Sequence, residues 1–333
     1  MSRESRVPKA RILGTGRCVP PAVVENAELA SRLETSDAWI QEHTGIARRH
    51  VAAGGEVTSA MAAAAGRAAI EAAGLTVADL DMIIVATVSG DSPMPATAVS
   101  VQQKLGADMI PSFDLAASFA GFLYALTVAD QFISAGTFKT VLVVGADMMS
   151  RLVDPADRAT VPLFGDGAGA VVLGPALGDG RGILSAKIHA DGALSSYLEV
   201  PGGGSAEPMT PERLAARRQY LKMKGRELFQ VSVKHLTSYS MQALKAAGLT
   251  SAELDWVVPQ QGNRNIVDRI SQRLGYARHK FVENLAEVGN TGAASIPIAL
   301  DEAVRDGRIQ PNQTVLMCAL GAGITWGAAI VRM

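Results

Sequence analysis

Two stretches of this chain repeat each other at one fixed offset. AAGLTVADLDMIIVATV begins at Ala72, and AAGLTSAELDWVVPQQ begins at Ala246, 174 residues further on. The same offset relates TVLVVGA at Thr140 to TVLMCALGA at Thr314. Each member of the first pair reads as a helix end, a glycine stop, a short acidic turn and a buried strand. Two independent matches at one offset imply a duplicated chain, and a period this long excludes a solenoid of short repeats. The expected organisation is two related α/β halves, residues 1–175 and 176–333.

Within the halves, MIIVATV, TVLVVGA, WVVPQ and TVLMCAL are short, continuous apolar runs. They alternate with Ala-rich helical patterns over 58–73, 119–135, 222–247 and 291–305, which predicts sheets covered on both faces. Sites in open α/β sheets lie beyond the carboxyl ends of strands. AASFAG, PQQGN and LGAGITWG follow such strands, and VGNTGAAS opens a helix after FVENL. If the halves face each other, these four loops converge on one pocket. PGGGSAEPMTPER, 201–213, is the clearest loop and reads either as a flap over that pocket or as a surface insertion.

Bulk properties remove several function classes. A net charge of −1, with no basic cluster interleaved with aromatics, argues against nucleic acid. The N-terminal MSRESRVPKARILGTG has no apolar run of signal-peptide or anchor length, so neither export nor a membrane is expected. Two cysteines, Cys18 and Cys318, exclude a disulfide framework and fit a reducing cytoplasm. The five histidines are scattered without ligand spacing, so no metal site is expected.

The stretch DLAASFAGF, Asp114–Phe122, is a strand turning into a helix. A helix N-terminus offers unpaired N–H groups and a partial positive charge, which favour a thiolate or an oxyanion. The residue placed to point into a site there is Phe119, a side chain without chemistry.

Six blocks in order carry a family resemblance that spans nearly the whole chain: TSDAWIQEHTGIARRH, FDLAASFAGFLYAL, VLVVGADMMSRLVDPADRATVPLFGDGAGAVVL, LDWVVPQQGNRNI, GNTGAASIPIALDEAVRDGRI and GAGITWGAAIVR. Together they resemble the β-ketoacyl-acyl carrier protein synthase III family of the thiolase-like fold. The resemblance implies a duplicated, five-layered αβαβα subunit that forms a dimer. It also implies an acyl-CoA substrate, condensation with malonyl-acyl carrier protein in fatty-acid or polyketide synthesis, and no permanently bound cofactor.

The family reaction rests on a Cys–His–Asn set. The cysteine carries the acyl group, and the histidine and asparagine assist malonyl decarboxylation and hold the enolate oxygen. Carried over position by position, the cysteine falls on Phe119, the histidine of VPHQ on Gln260, and the asparagine of GNT on Asn290. Phenylalanine forms no thioester, and glutamine donates a hydrogen bond but exchanges no proton near neutrality. At the mouth of the pantetheine tunnel the resemblance assigns Trp39 to the adenine of CoA, with Thr35 one turn before it. It assigns Arg158 to the mouth, Asn263 to pantetheine and Phe229 to the tunnel wall. His43 stands where the family has an arginine, and Ala322 replaces a glycine of the Gly-rich run.

Ser118 and Cys318 are the alternative nucleophiles, read more simply as a packing or capping residue and a buried strand residue. Three readings of function remain open. The chain is a relative that binds acyl-CoA or acyl carrier protein without condensing, as a homodimer or beside an active paralogue, with Met94 near the two-fold axis. Or it performs altered chemistry: acyl transfer, thioester hydrolysis or malonyl decarboxylation. Or it is an active synthase changed at two positions.

Overall fold

The computed structural model describes residues 9–333. Residues 1–8, part of the expected N-terminal half and of the segment read for a targeting signal, lie outside the described residues. The first sheet takes its strands from β1 (Ala10–Cys18), β2 (Met82–Ala86), β3 (Ser112–Leu115), β4 (Val141–Met148) and β5 (Asp166–Pro175). Their spatial order is β1-β5-β4-β2-β3, with β2 parallel to both β3 and β4, and β5 antiparallel to its neighbours. The second sheet contains β6 (Gly182–Ala190), β7 (Trp256–Pro259), β8 (Thr314–Gly321) and β9 (Thr325–Arg332) in the order β7-β8-β9-β6.

After α1 (Asp37–Thr44), the helices on these sheets are α2 (Thr58–Ala72), α3 (Thr97–Leu105), α4 (Gly121–Ser134), α5 (Gly225–Ala247), α6 (Arg264–Leu274) and α7 (Ser295–Arg305); α1 itself packs beside α6. Alternation along the strands sets the layers. Ile84 and Val143 of the first sheet, and Val315 and Met317 of the second, face a shared core with Phe122 and Leu126 of α4 and Ile296 and Leu300 of α7. Ile83 and Leu142 face the other way, onto Ala62 and Ala69 of α2 and Val101 of α3. Val257 and Leu316 likewise meet Leu236 and Leu244 of α5 and Ile270 of α6. Five layers result: helices, sheet, helices, sheet, helices. Being sandwiched explains why α4 is apolar on almost all sides.

The duplication extends to individual hydrogen bonds. Thr76 and Asp79 form a capping box, as do Thr250 and Glu253 at the repeat offset. Asp81 accepts from the Thr140 N–H at 2.9 Å, and Asp255 accepts from the Thr314 N–H at 2.7 Å. Before α4 lies a single 3₁₀ turn, Ser118–Ala120, and before α7 another, Gly292–Ala294. These turns correct the helix starts read at 119 and 291: the chain first tightens by one 3₁₀ turn to make the elbow. Ser118 and Gly292, the same position in each repeat, both have positive φ, +49° and +62°. The long helix α5 begins at Gly225 rather than 222, because Lys222–Met223 pairs as a short strand with Leu198–Glu199.

Only residues 201–210 of the expected loop 201–213 are a loop, since Pro211–Ala215 forms a short helix capped by Thr210; the loop is fastened. The Gly202 N–H donates to the Arg218 carbonyl at 2.8 Å, Arg218 Nε donates to Glu207 at 3.0 Å, and Arg217 forms a two-pronged ion pair with Asp154. The flap reading is therefore set aside in favour of a loop tied to the neighbouring 154–158 turn.

Candidate functional site

The four loops converge. A pocket of about 150 Å³ is lined by Phe119 from AASFAG, Gln260 and Asn263 from PQQGN, Asn290 from VGNTGAAS, and Leu320 from the start of LGAGITWG. Phe229 of α5 forms part of its wall.

Phe119 sits in the 3₁₀ elbow at 5% exposure, its ring 5.8 Å from that of Phe164 at an angle of 53°. It also lines a second, largely apolar cavity of about 220 Å³ with Ser118, Met149, Leu152 and Leu221. Phe119 and Leu198 are common to both cavities, so together they form a wall between them. The elbow is held tightly: a Cβ on Gly321 would lie 2.7 Å from the Phe119 nitrogen, so only glycine fits at the start of the facing loop.

Gln260 leaves the end of β7, and its Oε1 accepts from the Leu320 N–H at 3.1 Å. The Oδ1 of Asn290 accepts from the Gly292 N–H at 3.1 Å. With both oxygens engaged, both amide nitrogens face the pocket. They lie 3.7 and 3.9 Å from the point where a Cβ on Gly262 would stand. The backbone of Asn290 is fixed as well, donating to the Leu163 carbonyl at 2.8 Å and accepting from the Gly165 N–H at 3.1 Å.

None of the described lining residues of this pocket titrates near neutrality, and no histidine lines either cavity. Ser118 opens on the second cavity, which Glu199 also lines and no histidine does. Cys318 is fully buried in β8, and burial pushes its thiol up to about 12, far from a reactive thiolate. The pocket can therefore hold and polarise a carbonyl oxygen with two neutral donors, and it lacks an activated nucleophile.

Trp39, Thr35 and Arg158 do not line the pocket; they sit outside it, toward α1. The Trp39 ring stacks on His43 at 4.3 Å, and the Arg158 guanidinium lies 5.1 Å from its centroid. A planar ligand group stacking on Trp39 has to compete with these neighbours. Thr35 Oγ1 is buried with no hydrogen-bond partner among the described residues. Asn263 caps α6 by accepting from the Asn265 N–H at 2.8 Å, and its Nδ2 donates to the His43 carbonyl at 2.9 Å. Its side chain thus ties the pocket to the end of α1 before any ligand arrives.

Sequence reasoning missed three supports. Gln261, fully buried, donates to the Pro259 and Val282 carbonyls and accepts from the Asn284 and Leu285 N–H groups. Asp147, also fully buried, accepts from the N–H groups of Ala293 and Val88 and from the hydroxyls of Ser89 and Thr87. Burial raises its pKa, while these donors oppose the rise. A lone carboxylate in the apolar run VLVVGADM was the available signal. Phe164 gave none beyond its place in a quoted block.

The layering and this buried pocket define a thiolase-like protein. The family profile described as 3-oxoacyl-[acyl-carrier-protein (ACP)] synthase III matches residues 113–192, and its C-terminal profile matches 244–333. The β-ketoacyl-[acyl-carrier-protein] synthase III of Rhodospirillum rubrum is 49% identical over 327 residues, covering 97% of this chain and 98% of that protein. That of Paramagnetospirillum magneticum is 46% identical over 329 residues, covering 98% and 99%. Among solved structures, the 3-oxoacyl-[acyl-carrier-protein] synthase III of Aquifex aeolicus superposes with a TM-score of 0.91 at 39% identity, covering 97% of this chain and 100% of that one. The priming β-ketosynthase of the R1128 polyketide pathway superposes at 0.90 with 34% identity, covering 98% of each chain. The chain belongs to the β-ketoacyl-acyl carrier protein synthase III family.

Proposed function

We propose that this chain is a non-condensing member of its family, which binds acyl-CoA or an acylated carrier protein in fatty-acid or polyketide synthesis and forms no acyl-enzyme. The observation that carries the reading is Phe119, whose ring stands at the family's cysteine position and closes the pocket from the cavity beyond it. Trp39, Thr35 and Arg158 at the mouth, with Phe229 and Asn263 in the pocket, are the ligand-binding residues of this proposal. Phe119, Gln260 and Asn290 occupy the positions of the family's catalytic set. No permanently bound cofactor is required. The two repeats are taken as halves 1–175 and 176–333 of a cytoplasmic subunit that pairs with a copy of itself or with an active paralogue. Met94, 86% exposed, is part of the pairing surface in this proposal. Among the described residues no helix is long and apolar enough to cross a membrane, and no cluster of metal-ligating side chains occurs.

One observation favours a second reading, malonyl decarboxylation. Loss of CO₂ from a malonyl thioester leaves the electron pair of the broken C–C bond on an enolate. The amides of Gln260 and Asn290 are placed to hold its oxygen, and a proton from water then gives the acetyl thioester. Hydrolysis is less well served, since no lining residue can act as a base.

Intact-protein mass spectrometry after incubation with a panel of acyl-CoAs, beside a binding titration, tests the proposal. Saturable binding without a mass increment is expected. An acyl adduct mapped to Ser118 or Cys318, or condensation at an ordinary synthase rate, refutes it. Acetyl-CoA released from malonyl-CoA establishes the second reading.

A further inference from the structure

The largest fully buried side chain is a charged one, Arg49, at 1% exposure. Burying a guanidinium is costly unless its donors are engaged. Among the described residues no carboxylate pairs with it directly. Its partners are neutral acceptors on two segments: the Val24 carbonyl at 2.9 Å and Asn26 Oδ1 at 2.7 Å on one, and the Pro162 carbonyl at 3.0 Å on the other. Burial brings its pKa down to about 10, which leaves it charged at neutral pH.

Asn26 and Pro162 lead toward the site. Asn26 Nδ2 donates to Asp37 Oδ1 at 2.7 Å and to the Ile46 carbonyl at 2.8 Å, holding both ends of α1, the helix of Trp39 and His43. Pro162 precedes Leu163, Phe164 and Gly165. Leu163 and Gly165 bracket Asn290 through its backbone N–H and carbonyl, and Phe164 packs on Phe119. Gly289, adjacent to Asn290, lies so near that a Cβ there would come within 3.2 Å of the Arg49 Cβ. A planar fork of donors can serve several acceptors at once, which an ammonium on a flexible stem does poorly.

We infer that Arg49 is a positioning residue which locks the mouth helix α1 and the Asn290 loop into one rigid frame, fixing the distance between the outer and inner ends of the pocket. The assignment of a mouth and an inner end rests on the function proposed above; the mechanical coupling does not.

Hydrogen exchange on the full chain tests it, because local opening is read segment by segment. Arg49→Met should speed exchange by roughly tenfold or more in both 37–46 and 285–292, the scale of losing a hydrogen bond to a charged group. Strand 314–321 should keep its protection. Arg49→Lys should fall between the two. Asn26→Ala, which cuts only the branch to α1, should speed 37–46 and spare 285–292. Uniform acceleration along the chain would make Arg49 a bulk stabiliser and overturn the inference, as would unchanged exchange in either segment of Arg49→Met. If Arg49→Met does not fold, Asn26→Ala decides: no change in 37–46 refutes the link. Acyl-CoA titration of the unmutated protein separates the two ideas, since absent binding refutes the proposed function and leaves the exchange result standing.

Discussion

Phe119 and Phe164 meet with ring centroids 5.8 Å apart, and one of the two, Phe119, lines both the pocket and the cavity behind it. Aromatic burial of this kind stabilises the fold while closing a channel. Phe119→Cys removes most of the ring and leaves a void between two existing cavities. The expected cost is roughly 2–4 kcal/mol, somewhat below that of a full phenylalanine-to-alanine truncation. Chemical denaturation should show it as a lower midpoint with an unchanged slope. A crystal structure of the variant should show the two cavities joined; separate cavities would assign the wall to Leu198.

Two histidines outside the site set a pH dependence. His235 stacks on Trp326 at 4.2 Å, and His189 lies 4.3 Å from Tyr239. Burial, then Lys187 for His189 and Lys234 for His235, lowers both pKa values below the ordinary 6.5, with Asp191 opposing the shift at His235. The folded state therefore binds fewer protons than the unfolded chain below that value, so the stability is fully present above about pH 6.5 and is lost progressively below it, as pH falls through the lowered folded-state values. The melting temperature should decline on acidification below 6.5. The double variant His189→Phe/His235→Phe, which keeps aromatic rings without the titration, should flatten that limb of the profile.

The sequence discloses what is local or repeated, and conceals what is made by distant partners. The offset shared by Ala72 and Ala246 announces two related sheets, and DLAASFAGF announces an elbow, because glycine stops, turn chemistry and apolar runs act within a few residues. The convergence of Phe119, Gln260 and Asn290 is legible through the family blocks. The roles of Asp147, Gln261 and Arg49 are not, since each derives from loops brought together only by the fold. Arg217 and Asp154 are similarly invisible as a pair, and PGGGSAEPMTPER therefore reads as looser than its contacts make it. Leu198 carries no sequence mark of lying between two cavities, because apolar side chains look alike until they are packed.

Cys318 offers a direct check on the absence of a nucleophile. Full burial and a thiol pushed up to about 12 leave almost no thiolate at neutral pH. Iodoacetamide under native conditions should leave Cys318 unmodified, with labelling only after denaturation. Rapid native labelling at this cysteine, read by peptide mapping, would return it as a candidate nucleophile.

The family set can be rebuilt, and its parts should fail singly. Phe119→Cys places a thiol at the elbow that leads into α4, where the helix N-terminus favours the thiolate. Gln260→His is compatible with its surroundings, because a neutral imidazole can accept from the Leu320 N–H with one nitrogen and turn the other to the pocket. Asn290 is already held through its Oδ1, which accepts from the Gly292 N–H. Neither single variant completes the chemistry: the first lacks histidine, and the second lacks a nucleophile. The double variant should acquire an acyl adduct from acyl-CoA and condense with malonyl-acyl carrier protein more than the two singles predict, as residues acting in one unit do. Intact mass and a condensation assay on all four proteins read this directly. Additive, near-zero rates in a double variant that still binds acyl-CoA would turn attention to His43 and Ala322, the other two positions expected from the resemblance to depart from the family pattern.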